Sequence, residues 1–215
     1  MKYALVVFDW DGTVIDSAAT IAQCIQEASR DLGLEVPTLE RASHVIGLGL
    51  QDSLRIAVPG LRREQYAEFV ERYRAHFRAR EDVMRVFPGI EALLRELSQG
   101  RSLAIATGKS RRGLDRSLAA TGLGGYFSAS RCADETHPKP HPAMLLELMN
   151  ECAIEKSETL MIGDTSHDLE MAREAGVDAV AVSYGAHAEE ALRACGPRVC
   201  LADVASLRRW LSANA

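Results

Sequence analysis

The sequence contains no apolar run that approaches the roughly 18 residues of a membrane-spanning helix. Its amino terminus also lacks the basic region, long apolar segment and small-residue cleavage site of a secretory signal. The cysteines are odd in number and have no metal-ligand spacing, which favours reduced thiols over disulfides or a zinc site: Cys24, Cys132, Cys152, Cys195 and Cys200. These absences predict a cytoplasmic protein without a membrane partner.

The chain also lacks an excess of positive charge. Its formal net charge is -5, whereas nonspecific binding of nucleic acid depends on a basic surface, so no nucleic-acid partner is expected. Hydrophobic residues make up 47% and charged residues 26% of the 215 residues, as in an ordinary soluble globular protein with a large core. This length fits one domain or a domain with an insertion, and nothing in the sequence sets an oligomeric state.

Two carboxylates follow the first apolar run of the chain. The run from Tyr3 to Phe8 is typical of a strand buried on both faces, and Asp9 and Asp11 come directly after it. In an extended chain these two side chains point the same way, and Gly12 allows a sharp turn beyond them. Two such acids suit a divalent cation and a phosphate, but a plain strand-end turn is the alternative interpretation.

The residues after this turn show helical spacing. No strand pattern interrupts residues 16 to 82, so residues 16–83 are predicted to form an all-helical cap inserted after the first strand. Helices are expected from Ala18 to Gly33, in two short segments around the loop Ile46 to Leu50, and from Arg63 to Arg80. The aromatic stripe from Tyr66 to Phe77 on the last of these helices is predicted to form the core of the cap.

Strands and helices alternate in the remaining sequence. Residues 1–15 and 84–215 are therefore predicted to form a Rossmann-like α/β core, a doubly wound parallel sheet covered by helices on both faces. Further strands are expected at Ser102–Thr107, Thr159–Asp164, Ala179–Val182 and Val199–Leu201, with a short one at Phe127–Ser130. Helices are expected near residues 90–97, 111–121, 142–152 and 166–175.

Polar residues end three of the predicted buried strands. Asp9, Thr107 and Asp164 stand at these ends, which a parallel sheet brings to one edge, where ligands bind. Lys139 lies between two prolines that restrict its backbone, although the chain has only four lysines. Taken singly, Asp164 is equally compatible with a helix N-cap, Thr107 with an ordinary strand end and Lys139 with a surface lysine.

The joint order of these segments resembles the haloacid dehalogenase-like hydrolase superfamily. Its pattern Asp-x-Asp-Gly-Thr appears as Asp9 to Thr13, and its second motif, a Thr or Ser at a strand end, appears as Thr107. Its lysine appears as Lys139, and its Gly-Asp motif with a further acid appears as Asp164 and Asp168. The position of the insert resembles the subgroup with a helical cap, and within it the phosphoglycolate phosphatase-type enzymes.

The resemblance implies a phosphatase that uses Mg²⁺ and an aspartyl-phosphate intermediate. Asp9 is then the nucleophile, and Asp11 is the acid that protonates the leaving alkoxide and the base that activates water. The metal ligands would be the Asp9 and Asp164 carboxylates and the Asp11 backbone carbonyl, because Mg²⁺ prefers hard oxygen ligands. Asp168 would act on the metal indirectly, by holding one of the groups around it or through a water molecule.

The resemblance also implies the groups that hold the phosphoryl oxygens. These are the Thr107 hydroxyl, nearby backbone N–H groups such as that of Gly108, and Lys139. Lys109 is expected to be a neighbouring or structural charge, not a catalytic group. The loop Ile46 to Leu50 is a candidate specificity loop, with a plain turn between helices as the alternative.

Several activities are compatible with this pattern. Halide leaves without a proton, so the presence of Asp11 favours phosphate transfer over dehalogenation. The absence of lysine from the predicted cap favours hydrolysis over a sugar-phosphate mutase. The partner is expected to be a small phosphorylated metabolite, with phosphoglycolate as the leading candidate by resemblance, and with nucleotides and pyrophosphate also open. A phospho-receiver or an inactive phosphate-binding module is the non-enzymatic alternative.

Overall fold

The computed structural model describes residues 2–214, and its centre is a six-stranded parallel sheet. The strand order is β5-β4-β1-β6-β7-β8, and every neighbouring pair is parallel. A separate two-stranded antiparallel ribbon joins β2 to β3. The strands are β1 Leu5–Phe8, β2 Ile15–Asp16, β3 Arg85–Val86, β4 Ser102–Thr107, β5 Ala129–Cys132, β6 Thr159–Gly163, β7 Asp178–Val182 and β8 Val199–Leu201.

Apolar layers cover both faces of this sheet. Along β1, Val6 and Phe8 join the core on one face, while Leu5 and Val7 join the core on the other. This alternation follows the two-residue period of a strand and explains why the run is apolar throughout. The helices are α1 Ala18–Asp31, α2 Leu39–His44, α3 Leu50–Ala57, α4 Tyr66–Arg78, α5 Ile90–Leu97, α6 Arg111–Thr121, α7 Ala143–Cys152, α8 Ser166–Ala175, α9 Glu189–Ala194 and α10 Val204–Asn214.

Helices α1 to α4 enclose an apolar cluster of their own. Ile25 and Ala28 from α1 meet Leu54 from α3 and Phe69 from α4 in this cluster. The ribbon of β2 and β3 lies where the chain leaves the sheet for these helices and returns, with Ile15 paired to Val86. The exact domain boundaries at residues 16–83 stay a prediction, since the ribbon of Ile15–Asp16 and Arg85–Val86 lies close to both ends of that range.

The order and type of most elements agree with the sequence prediction, and the fold class is confirmed. The strand predicted at Phe127–Ser130 is displaced to Ala129–Cys132. The sequence analysis missed the ribbon, α9 and α10. The last helix buries Val204, Leu207 and Leu211 at helical spacing, a signal that could have been used. Within residues 2–214, each helix is too short or too polar to cross a membrane.

Candidate functional site

Three neighbouring strands deliver the predicted polar residues to one place. Strand β1 lies between β4 and β6, so Asp9, Thr107 and Asp164 emerge side by side at the carboxyl edge of the sheet. The Asp9 backbone N–H donates to the carbonyl of Ile162 at 2.9 Å, which continues the strand pairing up to the site. All three polar side chains are buried. Their meeting point follows from the parallel sheet, as the sequence indicated.

Lys139 lies inside this group and not on the surface. Its ammonium is 2.8 Å from Asp9 Oδ1 and 2.6 Å from Asp168 Oδ1, and its side chain is fully buried. The surface-lysine interpretation is therefore wrong. A buried ammonium with two carboxylate partners is a charge-assisted arrangement that fixes all three side chains.

The two oxygens of the Asp9 carboxylate differ in their surroundings. Oδ1 contacts Lys139 and accepts a 2.6 Å hydrogen bond from the backbone N–H of Trp10. Oδ2 is buried and has no hydrogen-bond partner among residues 2–214. An unpaired buried oxygen is costly to the folded state unless a ligand satisfies it. Asp9 Oδ2 is thus oriented to meet something that binds from outside the chain.

Asp164 is held by both of its oxygens. Oδ1 accepts from the Thr13 hydroxyl at 2.7 Å, and Oδ2 accepts from the backbone N–H of Ala186 at 2.7 Å. A Cβ at Gly12 would lie 2.1 Å from Asp164 Oδ2, and one at Gly185 would lie 2.2 Å from it. These glycines therefore make room for the carboxylate, and Gly12 also has a φ of +83°.

The N-cap interpretation of Asp164 is wrong. Thr165 caps α8, and its side chain accepts from the backbone N–H of Asp168. Asp168 reciprocates in a capping box, because its Oδ2 accepts from the backbone N–H and the hydroxyl of Thr165 at 3.0 and 2.7 Å. Since Asp168 Oδ1 contacts Lys139, both oxygens of Asp168 are engaged by the protein.

The site gathers more negative than positive charge. Burial and the neighbouring Asp168 carboxylate raise the pKa of Asp164 to about 7. Burial also raises the pKa of Asp9, and Lys139 opposes this rise. For Lys139 itself, burial alone would lower the pKa, but the carboxylates of Asp168 and Asp9 raise it, so the lysine stays charged. A further cation would relieve the repulsion among these acids.

The carboxylates have the spacing of a metal site. One oxygen from each of Asp9, Asp164 and Asp168 lies within 4.8 Å of the other two. Carboxylate oxygens suit hard divalent cations, so these residues fit such an ion. The side chain of Asp11 is not a member of this cluster, and its expected contribution is the backbone carbonyl.

Asp11 belongs instead to a second group of polar contacts. Its Oδ1 accepts from the Ser17 hydroxyl at 2.7 Å and lies 2.9 Å from the ammonium of Lys109. The sequence analysis treated Lys109 as a neighbouring or structural charge, and Ser17, directly before α1, is the residue that a sequence pattern would take as a helix cap. In the structure Ser17 makes no side-chain cap hydrogen bond. The rarity of lysine and the position of Lys109 two residues after Thr107 were the available signals for its role.

A cavity of about 580 Å³ opens between the helical segment and the sheet. Asp9, Asp11, Thr107 and Gly108 line it from the sheet side. The loop Ile46–Leu50 lines it from the helical side. A Cβ at Gly108 would lie 2.5 Å from the carbonyl oxygen of Leu48 in this loop, so the loop rests on the glycine.

The aromatic stripe of α4 is only partly core. Phe69 and Val70 are buried in the helical cluster, as predicted. Phe77 is also buried in this cluster, and it lines the cavity as well. Tyr66 and Tyr73 pack against the cluster but are only partly buried, and their exposure to the cavity departs from the prediction.

A family model described as haloacid dehalogenase-like hydrolase matches residues 6–182, which include all the acidic residues of this site, Thr107 and Lys139. The chain belongs to the haloacid dehalogenase-like hydrolases. The resemblance seen in the sequence is thereby confirmed. Asp9, Thr107, Lys139 and Asp164 thus form the polar centre of a member of this family.

Known relatives of this family cover nearly the whole chain. A probable phosphatase IndB of Dickeya dadantii is 38% identical over 91% of this chain and 87% of its own. A 5'-nucleotidase of Pseudomonas aeruginosa is 33% identical over 100% of this chain and 98% of its own. The solved structure of a predicted phosphoglycolate phosphatase from Haemophilus somnus 129pt has a TM-score of 0.88 at 24% identity, covering 98% of this chain and 99% of its own. This last likeness confirms the haloacid dehalogenase-like fold.

Proposed function

We propose that the protein is a Mg²⁺-dependent phosphatase that hydrolyses a small phosphomonoester through an aspartyl-phosphate on Asp9. The buried, unpartnered Oδ2 of Asp9, next to a cavity that Asp11 also lines, is the observation that carries the proposal. The enzyme class itself, a phosphoric monoester hydrolase, is confirmed by the family and by the phosphatases among the relatives.

Asp9 has the surroundings of a nucleophile. Its Oδ1 is fixed by Lys139 and the Trp10 backbone N–H, so Oδ2 is presented in one orientation. Attack by Oδ2 on phosphorus forms the aspartyl-phosphate and releases an alkoxide from the substrate. The fixed carboxylate needs no reorganisation before it attacks, which lowers the entropic part of the barrier.

Asp11 supplies the proton that the alkoxide needs. Its carboxylate lines the cavity, and Ser17 and Lys109 hold its Oδ1. In the second half of the reaction, Asp11 removes a proton from the water that attacks the aspartyl-phosphate. A dehalogenase has no use for such an acid, since halide departs unprotonated.

The metal would be held by Asp9, Asp164 and the backbone carbonyl of Asp11. When bound, Mg²⁺ neutralises charge between the carboxylates and the phosphoryl group. Asp168 acts through Lys139 in this proposal, because its Oδ1 pairs with the Lys139 ammonium.

Thr107, Gly108 and Lys139 would hold the phosphoryl oxygens. The Thr107 oxygen accepts from the backbone N–H of Lys109 at 3.2 Å, which leaves its hydroxyl proton free to donate to phosphate. The Lys139 ammonium lies beside Asp9, where the charge of the transferring group develops. Such preoriented donors stabilise a transition state more than a ground state.

Hydrolysis fits this site better than phosphate transfer within a mutase. Residues 16–83 contain no lysine. Their two histidines already contact other side chains. His76 contacts Glu27 and Asp31, and the ring of His44 stacks on that of His187 with ring centres 5.3 Å apart. Water is therefore the acceptor that the geometry favours. Phosphoglycolate stays the candidate that the resemblance implies, and the relative known as a 5'-nucleotidase keeps nucleotides under consideration.

Phosphate release with and without Mg²⁺ tests the proposal. Purified protein is treated with a chelator and then assayed on p-nitrophenyl phosphate over a range of Mg²⁺ concentrations. We expect many turnovers that require the metal, whereas a phospho-receiver would take up one phosphate per chain and stop. Multiple turnovers in chelator alone would show that the metal is not needed for the reaction. Uptake of a single phosphoryl group per chain, without further turnover, would show that the protein is not a hydrolase.

Replacing Asp11 by Asn should affect substrates according to their leaving groups. Alkyl phosphates need the proton, so their kcat should fall by about 10²–10⁴-fold. The first step with p-nitrophenyl phosphate should be less affected, because nitrophenolate leaves without a proton. Pre-steady-state release of nitrophenol in Asp11→Asn should thus persist as a burst, followed by slow phosphate release. An equal loss of both first steps would contradict the role of Asp11 as the acid.

A further inference from the structure

We infer that the leaving group of the substrate is an uncharged, ring-bearing alcohol of about nucleoside size. This inference rests on the proposed phosphatase function and concerns the part of the cavity beyond the reacting carboxylates. Such a leaving group differs from that of phosphoglycolate, which is glycolate, a short alcohol that carries a carboxylate.

The size of the cavity is the first observation. A volume of about 580 Å³ is much more than a phosphoryl group and two carbon atoms fill. Cavities of roughly 300–1,000 Å³ are those that enclose ring-bearing ligands and bury most of their surface. A two-carbon leaving group would leave most of this space to water, whereas a sugar or base would occupy it.

The second observation is an apolar and aromatic wall that begins beside Asp11. The Lys109 ammonium lies 2.9 Å from Asp11 and 4.7 Å from the centre of the Phe77 ring. Phe77 in turn stacks on Tyr73, with ring centres 6.1 Å apart and an angle of 29° between the rings. Tyr66 lies seven residues before Tyr73, on the same face of α4.

A substrate bound for reaction must therefore extend along this wall. Its leaving oxygen lies at Asp11, and the group attached to that oxygen extends past Lys109 and Phe77 toward Tyr73. Ile21 and Ile25 of α1 add apolar surface to the same cavity. Planar rings gain from stacking on such side chains, and apolar surface gains from leaving water.

Tyr73 adds a polar contact to this wall. Within the described residues its hydroxyl has no hydrogen-bond partner, although the side chain is half-buried. Burial and the nearby Asp11 carboxylate raise the pKa of this hydroxyl, so it stays a donor at neutral pH. A sugar hydroxyl or a base carbonyl is a suitable acceptor.

The charges around the cavity argue against a carboxylate in the leaving group. Each cation that lines it in the described residues already has an acidic partner: Lys109 pairs with Asp11, Arg74 with Glu71 and Arg116 with Glu81. Asp52 and Asp134 also line the cavity and would repel a second anion. A carboxylate there would have to displace an existing ion pair, whereas an uncharged ring displaces only water.

The test compares kcat/KM for nucleoside 5'-monophosphates with that for phosphoglycolate, at saturating Mg²⁺. We expect a ratio of at least about 100 in favour of a nucleoside monophosphate, because a stacked base contributes a factor of this order. A ratio of one or less would overturn the inference while leaving the phosphatase intact. Absence of turnover with both compounds and with p-nitrophenyl phosphate would overturn the phosphatase function, and the inference with it.

The variant Tyr73→Leu tests whether the preference for a ring-bearing substrate depends on the wall of α4. It should raise KM for the nucleoside monophosphate about tenfold and leave kcat/KM for phosphoglycolate within about twofold, since only the ring-bearing substrate contacts residue 73. Tyr126→Leu is the matched control, as Tyr126 is a half-buried tyrosine elsewhere on the sheet side. Equal losses for both substrates would overturn the contact with Tyr73. The wild-type ratio decides the inference even where the variant is unstable.

Discussion

Replacing Asp9 by Asn is expected to abolish phosphate release, with a fall in kcat of at least about 10⁴-fold. Asparagine has nearly the shape of aspartate and still offers an oxygen to Lys139, but its amide does not attack phosphorus. The fold should persist, because the substitution removes one of several buried carboxylates that repel each other. Unfolding in urea should show a free energy of unfolding no lower than that of the wild type.

Two measurements make this expectation specific. Acid-quenched protein should carry a phosphoryl group during turnover in the wild type and none in Asp9→Asn. Asp115→Asn is the matched control, since Asp115 is an exposed acid on α6 with 60% of its side chain accessible. Its turnover should equal that of the wild type. Near-wild-type turnover in Asp9→Asn would remove Asp9 as the nucleophile.

Replacing Lys139 by Met is expected to destabilise the protein as well as to inactivate it. The lysine side chain is fully buried between Asp9 and Asp168, so its loss leaves both carboxylates without their cation. Breaking a buried ion pair from one side costs about 3–5 kcal/mol. Methionine has similar length and apolar bulk, so the loss of charge and not a cavity would account for the change.

The metal gives this prediction a second readout. If Mg²⁺ binds the same carboxylates, its addition should raise the free energy of unfolding of Lys139→Met by more than that of the wild type. Lys156→Met is the matched control, because Lys156 is exposed and should change the free energy of unfolding by less than about 0.5 kcal/mol. A stability of Lys139→Met equal to that of the control would contradict the buried ion-pair arrangement.

The reacting residues were predictable because they depend on strand order. Asp9, Thr107 and Asp164 each follow a buried apolar run, and parallel pairing alone brings such positions together. Lys139 lies in no strand, and its flanking prolines and its place in the motif pattern indicated that it belongs with them. Their assigned roles stay predictions until the variants are measured.

The contacts across the cavity could not be predicted in the same way. Lys109 meets Phe77 only because α4 packs over the sheet, and no local pattern encodes that approach. Likewise, a helical stripe shows that Tyr66 and Tyr73 are on one face of α4 but not whether protein or ligand covers them. The ribbon of β2 and β3 was missed because its two-residue strands are too short to show a period.

That ribbon has a consequence for how such proteins diversify. Ile15 and Val86 lie opposite each other in the ribbon, so the chain departs for the helical segment and comes back at almost one point. An exchange of the segment for one of another shape therefore need only preserve the spacing of two adjacent backbone positions. The catalytic residues at the sheet edge and the specificity for the leaving group can then change independently during evolution.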